Sequence, residues 1–421
     1  MDTTRKLIVG YDLCEDYSQL CCYSYKSFEP VPIQYQDEEG LIPTALCVRK
    51  DNGQWLFGEE AVTCASGGQG ILIDRLLDKL ARGGQVEVSG QSFSAIALME
   101  KYLRKTLTLI KEYFPVEPIT HMVVTVRSTQ PSLTEGIYAA LELLGLEKDR
   151  VTIMSHAGAY LYYALSQDKA LWRGDVGLFD FSREGLLYYQ IKLNRRSRPM
   201  IAGIARTDCS ETLNHAMLEK PEKQAYIFET LANSLLHKQL VTTLYFTGQG
   251  FQGKWAEEVL GRLCVGRRVF LGQNLFTKGA CYAAKELSGE SSLEEFVLLH
   301  DDMITSDIGI RVYKDTRFQE VLLAEAGKPW YEINNSIEII LEGGPEGGAE
   351  LEIVRRNIMN RDMIREKLQL TGLPKRPDRM TRLEVRLTFR DSSGGKLSVS
   401  DLGFGEFYSG SGLITEFSID L

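Results

Sequence analysis

VVTVRSTQPSLTEGIYAALELLGLEKDRVTIMSHAGAYLYYAL, residues 123–165, decides how this chain folds. It opens on HMVVTVRS, from His121, an apolar run too short for a helix and rich in β-branched residues, so it reads as a buried strand. Ser132 follows as an expected N-cap, with Glu135 three residues on as its capping-box partner. The helix should stop near Gly145, the residue type that accepts the left-handed backbone of a helix end. VTIMSH is a second strand and AGAYLYYALSQ a second helix, built from small residues. Strand, helix, strand, helix in this order implies a mostly parallel sheet covered by helices.

Upstream, LIVGYDLCEDYSQLCCYSY (7–25) reads as strand, turn, strand, and VGLFDFSREGLLYYQIKL (176–193) repeats the pattern. In each, an apolar strand ends in aromatic-Asp, Tyr11-Asp12 and Phe179-Asp180, before a short polar turn. Two such hairpins suggest an internal duplication, which would bring two carboxylates to one cleft. A helix is expected over Phe93–Phe114, where Leu98, Met99, Tyr102, Leu103, Leu107 and Ile110 recur at helical spacing. Arg206–Leu240 reads as helical and polar. TTLYFTGQGFQGKW, from Thr242, reads as strand, glycine-rich turn and helix, and LFTKGACYAAKEL, from Leu275, as a helix. After about residue 300 short alternating stretches dominate, among them SIEIIL, ELEIV and RLEVRLTF, separated by EGGPEGGAE and DSSGGK. That is the period and turn chemistry of antiparallel β structure.

Composition narrows the function. The net charge of −9 provides no basic excess to neutralise phosphates, which argues against general nucleic-acid binding. No apolar run is long enough for a transmembrane helix, so no membrane association is expected. The start, MDTTRKLIVGYD, runs into a strand without a signal-peptide pattern. The 8 cysteines are scattered without a C-x-x-C pair, which fits reduced thiols in a cytoplasmic protein.

The order of these pieces resembles the actin and heat-shock ATPase superfamily, and more narrowly the DnaK-type chaperones. Residues 123–165 resemble that family's segment built around an Asn-Glu-Pro-Thr-Ala-Ala core. EEFVLLHDDMITSDIGIRV (294–312) resembles its interdomain linker and the first strand of its peptide-binding β domain. REKLQLTGLPKRPDRMTRLEVRLTFRDSSGGKLSVSDLGFG (365–405) resembles the later strands of that domain. The implied fold is an actin-like, duplicated ribonuclease-H-like α/β domain over 1–298 and a β-sandwich domain over 303–421, without the family's helical lid. The implied ligands are ATP or ADP with Mg2+ and a protein or peptide partner. The oligomeric state stays open.

Carried over residue by residue, the resemblance places a nucleotide at Asp12, Asp180, Arg183, Gly248, Gly250, Phe251 and Gly279. Asp12 and Asp180 would organise the metal, and Phe251 would stack on adenine in place of an arginine. Peptide contacts would fall on Ile310, Tyr313, Leu351 and Ile353, positions that serve equally well as sandwich core. The departures are as telling. The first phosphate loop, Asp-Leu-Gly-Thr-Thr in the family, is Asp12-Leu13-Cys14-Glu15-Asp16 here, with a Cβ and two carboxylates where backbone amides should approach phosphate. The second keeps one of three glycines in Asp180-Phe181-Ser182-Arg183-Glu184-Gly185. Asp74 stands where the family has its catalytic lysine and His156 where it has a glutamate. In the linker, Leu298-Leu299-His300-Asp301-Asp302 replaces a longer leucine run. A chaperone-like pseudo-ATPase is therefore expected, against a divergent active ATPase or a non-catalytic interaction scaffold.

Overall fold

The computed structural model describes residues 6–36, 39–214, 221–314, 316–342 and 349–421. The chain divides into two compact units, Met1–Leu193 with Ile204–Glu294, and Asn194–Gly203 with Glu295–Leu421. No helix is long and apolar enough to cross a membrane.

The first unit opens with three strands, β1 (Leu7–Leu13), β2 (Tyr17–Ser24) and β3 (Glu29–Pro32). A small subdomain interrupts them: β4 (Ile42–Pro43), β5 (Leu46–Arg49), β6 (Trp55–Phe57), α1 (Gly58–Ser66), β7 (Gly70–Ile73), α2 (Leu76–Arg82), β8 (Gln85–Val88) and β9 (Gln91–Ser94). The series resumes as α3 (Ala95–Tyr113), β10 (Ile119–Val126), α4 (Pro131–Glu142), β11 (Val151–Ser155) and α5 (His156–Leu165). The same order then recurs: β12 (Asp175–Ser182), β13 (Gly185–Asn194), β14 (Met200–Asp208), α6 (Pro221–Leu236), β15 (Val241–Thr247), α7 (Lys254–Leu263), β16 (Arg268–Leu271) and α8 (Leu275–Leu287).

The two sheets have matching strand orders, β11-β10-β1-β2-β3 and β16-β15-β12-β13-β14. Registers match too. Asp12 on β1 lies beside Thr125 on parallel β10, and Asp180 on β12 lies beside Thr247 on parallel β15. Strand order and aspartate register thus recur in the two sheets. Every residue of β1 is buried, because both faces of its sheet are covered. Val9, Tyr11 and Leu13 share one core with Leu98, Met99 and Tyr102 of α3 and Ile137 of α4. Ile8 on the opposite face packs with Ala280 and Cys281 of α8. The second sheet buries Phe179 and Phe181 against Phe228 of α6 and Val259 of α7.

Three local expectations change. Helix α4 starts one residue before Ser132, with Gln130 at the cap position and Pro131 inside the first turn. Proline's fixed φ suits that place, and it displaces the expected serine cap. Arg206 lies in β14, not in a helix, and the helix of that region begins at Pro221. Gly279, an expected nucleotide contact, packs against helix α5. A Cβ there would sit 2.0 Å from the Ala159 carbonyl oxygen, so the glycine is what lets α8 approach α5.

The second unit is nearly all β: β17 (Phe296–Leu299), β18 (Ser306–Lys314), β19 (Arg317–Ala324), β20 (Asn334–Ile340), β21 (Ala349–Asn357), β22 (Met363–Leu370), β23 (Arg382–Phe389), β24 (Gly394–Phe404), β25 (Tyr408–Ser409) and β26 (Ile414–Asp420). Sheets β19-β18-β21-β22 and β20-β23-β24-β25, the latter extended by β26 on β24, enclose one core. Ile310, Leu351 and Ile353 belong to that core and are at most 4% exposed, so these three expected peptide contacts are packing residues. Period-two alternation identifies their common face and leaves open whether a partner or the opposing sheet covers it. Tyr313 is 52% exposed and packs edge-on against Phe318. The stretch expected to be a linker is not an open tether. Met200–Gly203 pair in parallel with β17, and His300 and Asp302 beyond it are buried. Burial lowers the His300 imidazole below its ordinary range. Most of the EGGPEGGAE connection, residues 343–348, lies outside the described residues.

Candidate functional site

Within the first unit, a cleft of about 790 Å³ lies at the ends of the two duplicated hairpins. Asp12, Cys14, Glu15 and Asp16 of the first hairpin line it, as do Asp180, Ser182, Arg183 and Glu184 of the second. Asp74, Arg75 and Asp78 enter from the small subdomain, Arg127 from the end of β10, His156 from the start of α5, and Gly248 and Gln249 from the turn after β15. Seven carboxylates and four guanidinium groups face this space, so its field is acidic.

Asp12, next to last in β1, meets His156. Their contact, Oδ1 to Nε2, is 2.8 Å and buried. The Cys14 thiol donates to the same carboxylate oxygen at 3.3 Å and lies 3.4 Å from His156 Nε2. The imidazole is fixed by stacking on Phe276 at 3.8 Å between centroids, and its Nδ1 is buried without a hydrogen bond. Burial, reinforced by Asp12 and Asp180, pushes the Cys14 thiol well above its usual range. As it stands the side chain is a neutral hydrogen-bond donor and not a nucleophile.

Asp180 is governed by a residue that sequence reading passed over. Arg127 lies 3.6 Å from its Oδ2, bridges Glu184 at 2.9 Å and donates to the Ser182 hydroxyl. Burial raises the Asp180 carboxyl above its ordinary value, and the opposing pull of Arg127 is the smaller effect. Its Oδ2 makes no hydrogen bond. Arg127 follows a buried strand, where a lone arginine reads as the solvated start of a loop. The only hint in the sequence was that the parallel strand carrying it had to end beside the Asp12 strand.

The acidic loop also has local partners. Glu15 accepts from the Asp78 backbone N–H at 3.3 Å, and burial pushes its carboxyl up to about 7. Asp16 lies 3.7 Å from Arg183, so the one cation expected to receive an anion in the second loop already faces a carboxylate. Gly248 has φ +94°, and a Cβ there would sit 2.4 Å from the Phe181 carbonyl oxygen, so only glycine fits the turn. Its N–H donates to Gln273 at 3.2 Å.

Of the expected nucleotide contacts, Asp12, Asp180, Arg183 and Gly248 come together in this cleft. Gly250 packs instead against the Phe181 ring. Phe251 is 1% exposed, enclosed by Phe181, Phe228 and Phe246, and offers no face to an adenine. The expected metal pair also divides. Asp12 groups with Cys14 and His156, whereas Asp180 is matched with the Arg127 cation.

Residues 27–301 match a family of unknown function, DUF5716, over its C-terminal part. The chain belongs to the DUF5716 family. Residues 303–421 of this DUF5716 member match a second domain of unknown function, DUF8552. No curated protein matches the chain. The first match covers the cleft residues from Asp74 onward but not the first hairpin, Asp12–Asp16, and the second covers the β-rich unit apart from its 194–203 and 295–302 segments.

Proposed function

We propose that this DUF5716 member is a chaperone-like protein of the actin and heat-shock ATPase fold class that does not turn over ATP and acts by holding protein or peptide partners. The recurring β-β-β-α-β-α-β-α order, with an aspartate at the same register in each copy, supports the fold assignment. One observation carries the loss of catalysis: side chains with local partners occupy the phosphate side of the cleft. Arg127 is committed to Asp180, Ser182 and Glu184, and Cys14 to Asp12, while the exposed Arg183 has only a loose contact with Asp16. Phosphoryl transfer depends on donors free to meet developing negative charge. A triphosphate entering here meets an excess of carboxylates and would have to break these pairs. Mg2+ does not repair the fit, since it favours several oxygen ligands in octahedral array and Asp12 presents a thiol and an imidazole beside it.

A partner would dock on the second unit; exposure of Tyr313, Phe318 and Leu322 there supports this. With Ile310, Leu351 and Ile353 buried, the outer face and not an internal groove is the surface on which a held partner would sit.

Calorimetric titration with ATP and ADP, with and without magnesium, is expected to give no binding heat up to millimolar nucleotide. A magnesium-dependent turnover comparable to that of ordinary chaperones would overturn the reading. On the partner side, saturable binding of extended apolar peptides should fall at least about tenfold in Tyr313→Asp, the scale of one desolvated aromatic contact. Binding that ignores this substitution would remove Tyr313 from the surface.

A further inference from the structure

Cys14 and His156 are 142 residues apart, and each departs from the family pattern that the chain resembles. The fold brings both to Asp12. We propose that Asp12, Cys14 and His156 form a binding site for a divalent transition metal of the zinc class, with one coordination position open to the cleft.

The donor set is one thiol sulfur, one imidazole nitrogen and one carboxylate oxygen, with mutual separations of 3.3, 3.4 and 2.8 Å. Zinc bonds of about 2.0–2.3 Å in a tetrahedron place neighbouring donors about 3.3–3.6 Å apart. The two sulfur contacts already have that spacing. The oxygen and nitrogen need to separate by roughly half an ångström, which side-chain torsions supply. Mixed sulfur and nitrogen donors favour zinc-class ions over magnesium or calcium. Three protein ligands with a free fourth position is the arrangement that leaves a metal able to take water or an anionic group.

Two further features point to a cation. The cleft carries more carboxylates than guanidinium groups, which concentrates positive ions. The His156 Nδ1 atom is buried without a hydrogen bond in the same cleft, so the ring is free to offer its Nε2 to a metal once Asp12 turns aside. The imidazole is held by its stack on Phe276 and its place at the start of α5, so little ordering remains when a metal arrives. Metal binding replaces the thiol proton of Cys14, which leaves to solvent, and the thiolate becomes the ligand.

The test uses the full reduced protein titrated with Co2+, then Zn2+. One equivalent of Co2+ should bind with a thiolate-to-cobalt charge-transfer absorption, and Zn2+ should displace it while millimolar Mg2+ does not. Cys14→Ser should abolish the absorption, and His156→Gln should weaken affinity at least about a hundredfold, the upper end of what even outer-shell partners cost. Cys264→Ser, at an exposed thiol, should change neither. Because substitutions near a core can disturb folding, a Zn2+-dependent rise in the wild-type melting temperature provides a readout that needs no variant. The proposal is overturned if wild-type protein binds no stoichiometric Co2+, or if the absorption survives in Cys14→Ser, which would place the metal on other cysteines. The outcome is separable from the nucleotide reading: ATP binding would overturn that reading alone, and failure to bind cobalt would overturn this one alone.

Discussion

Arg376→Met is expected to destabilise the second unit by about 3–5 kcal/mol. Arg376 and Asp401 form a two-pronged pair at 2.6 and 2.7 Å, with side chains 4% and 0% exposed. The carboxylate also accepts from the Gly403 and Ser411 backbone N–H groups, and the guanidinium donates to the Ser409 carbonyl. Removing the cation strands a buried carboxylate among donors too few to replace it. The pair also sets an acid limit. Arg376 holds the Asp401 carboxyl well below the usual carboxylate range, so the folded state binds that proton more weakly than the unfolded chain does. The resulting stabilisation is fully present above the unfolded value, about 3.9, and is lost as pH falls through the lower folded value. Urea unfolding followed at pH 7 and again near pH 3 checks both parts. A cost below about 1 kcal/mol at pH 7 would show that the pair is not the fastening that its burial implies.

The second large effect is expected at Gly279→Ala. The added methyl would meet the Ala159 carbonyl oxygen at 2.0 Å and its carbon at 2.7 Å, both backbone atoms in α5. No side-chain rotation relieves such a contact, so the helices must part and the small-residue core around Ala280 and Ala284 must open. Overpacking of this kind costs up to about 3 kcal/mol, and a backbone clash belongs at that end. Thermal melting reads the loss. Cobalt affinity should fall with stability, because parting α8 from α5 draws Phe276 off the His156 imidazole. A variant with wild-type stability and damaged ligand binding would return Gly279 to the role that the family resemblance gave it.

These two positions show what the sequence could and could not reveal. Both hairpins, the helix over Leu275–Leu287 and the turn at Gly248 follow from local chemistry: alternation, apolar period and glycine. Asp12 and Asp180 were legible as a pair because a repeated strand end implies a repeated place. The site residues that escaped depend on distant chain. Arg127 acquires its meaning only from Asp180, and Cys14 acquires its own only from His156. Phe251 shows the opposite error. An aromatic residue after a glycine turn suits a ligand stack, but three phenylalanines from other elements claim it first. Ile310, Leu351 and Ile353 lie on an apolar face that period-two reading finds correctly, yet the opposing sheet that covers it is a tertiary fact.

The segment 194–203 has a bearing on how this protein is made. It belongs to the second unit, but the ribosome delivers it roughly ninety residues before the remainder of that unit. Met200–Gly203 must wait for Phe296–Leu299 to emerge before their parallel pairing can form. During that interval a strand with unsatisfied backbone groups is exposed to chance partners, the condition under which misassembly competes with folding. The chain also passes between the units three times, so a single protease cut cannot separate them. A fragment beginning at residue 295 lacks the partner of its first strand, and any attempt to isolate the β-rich half must carry residues 194–203 with it.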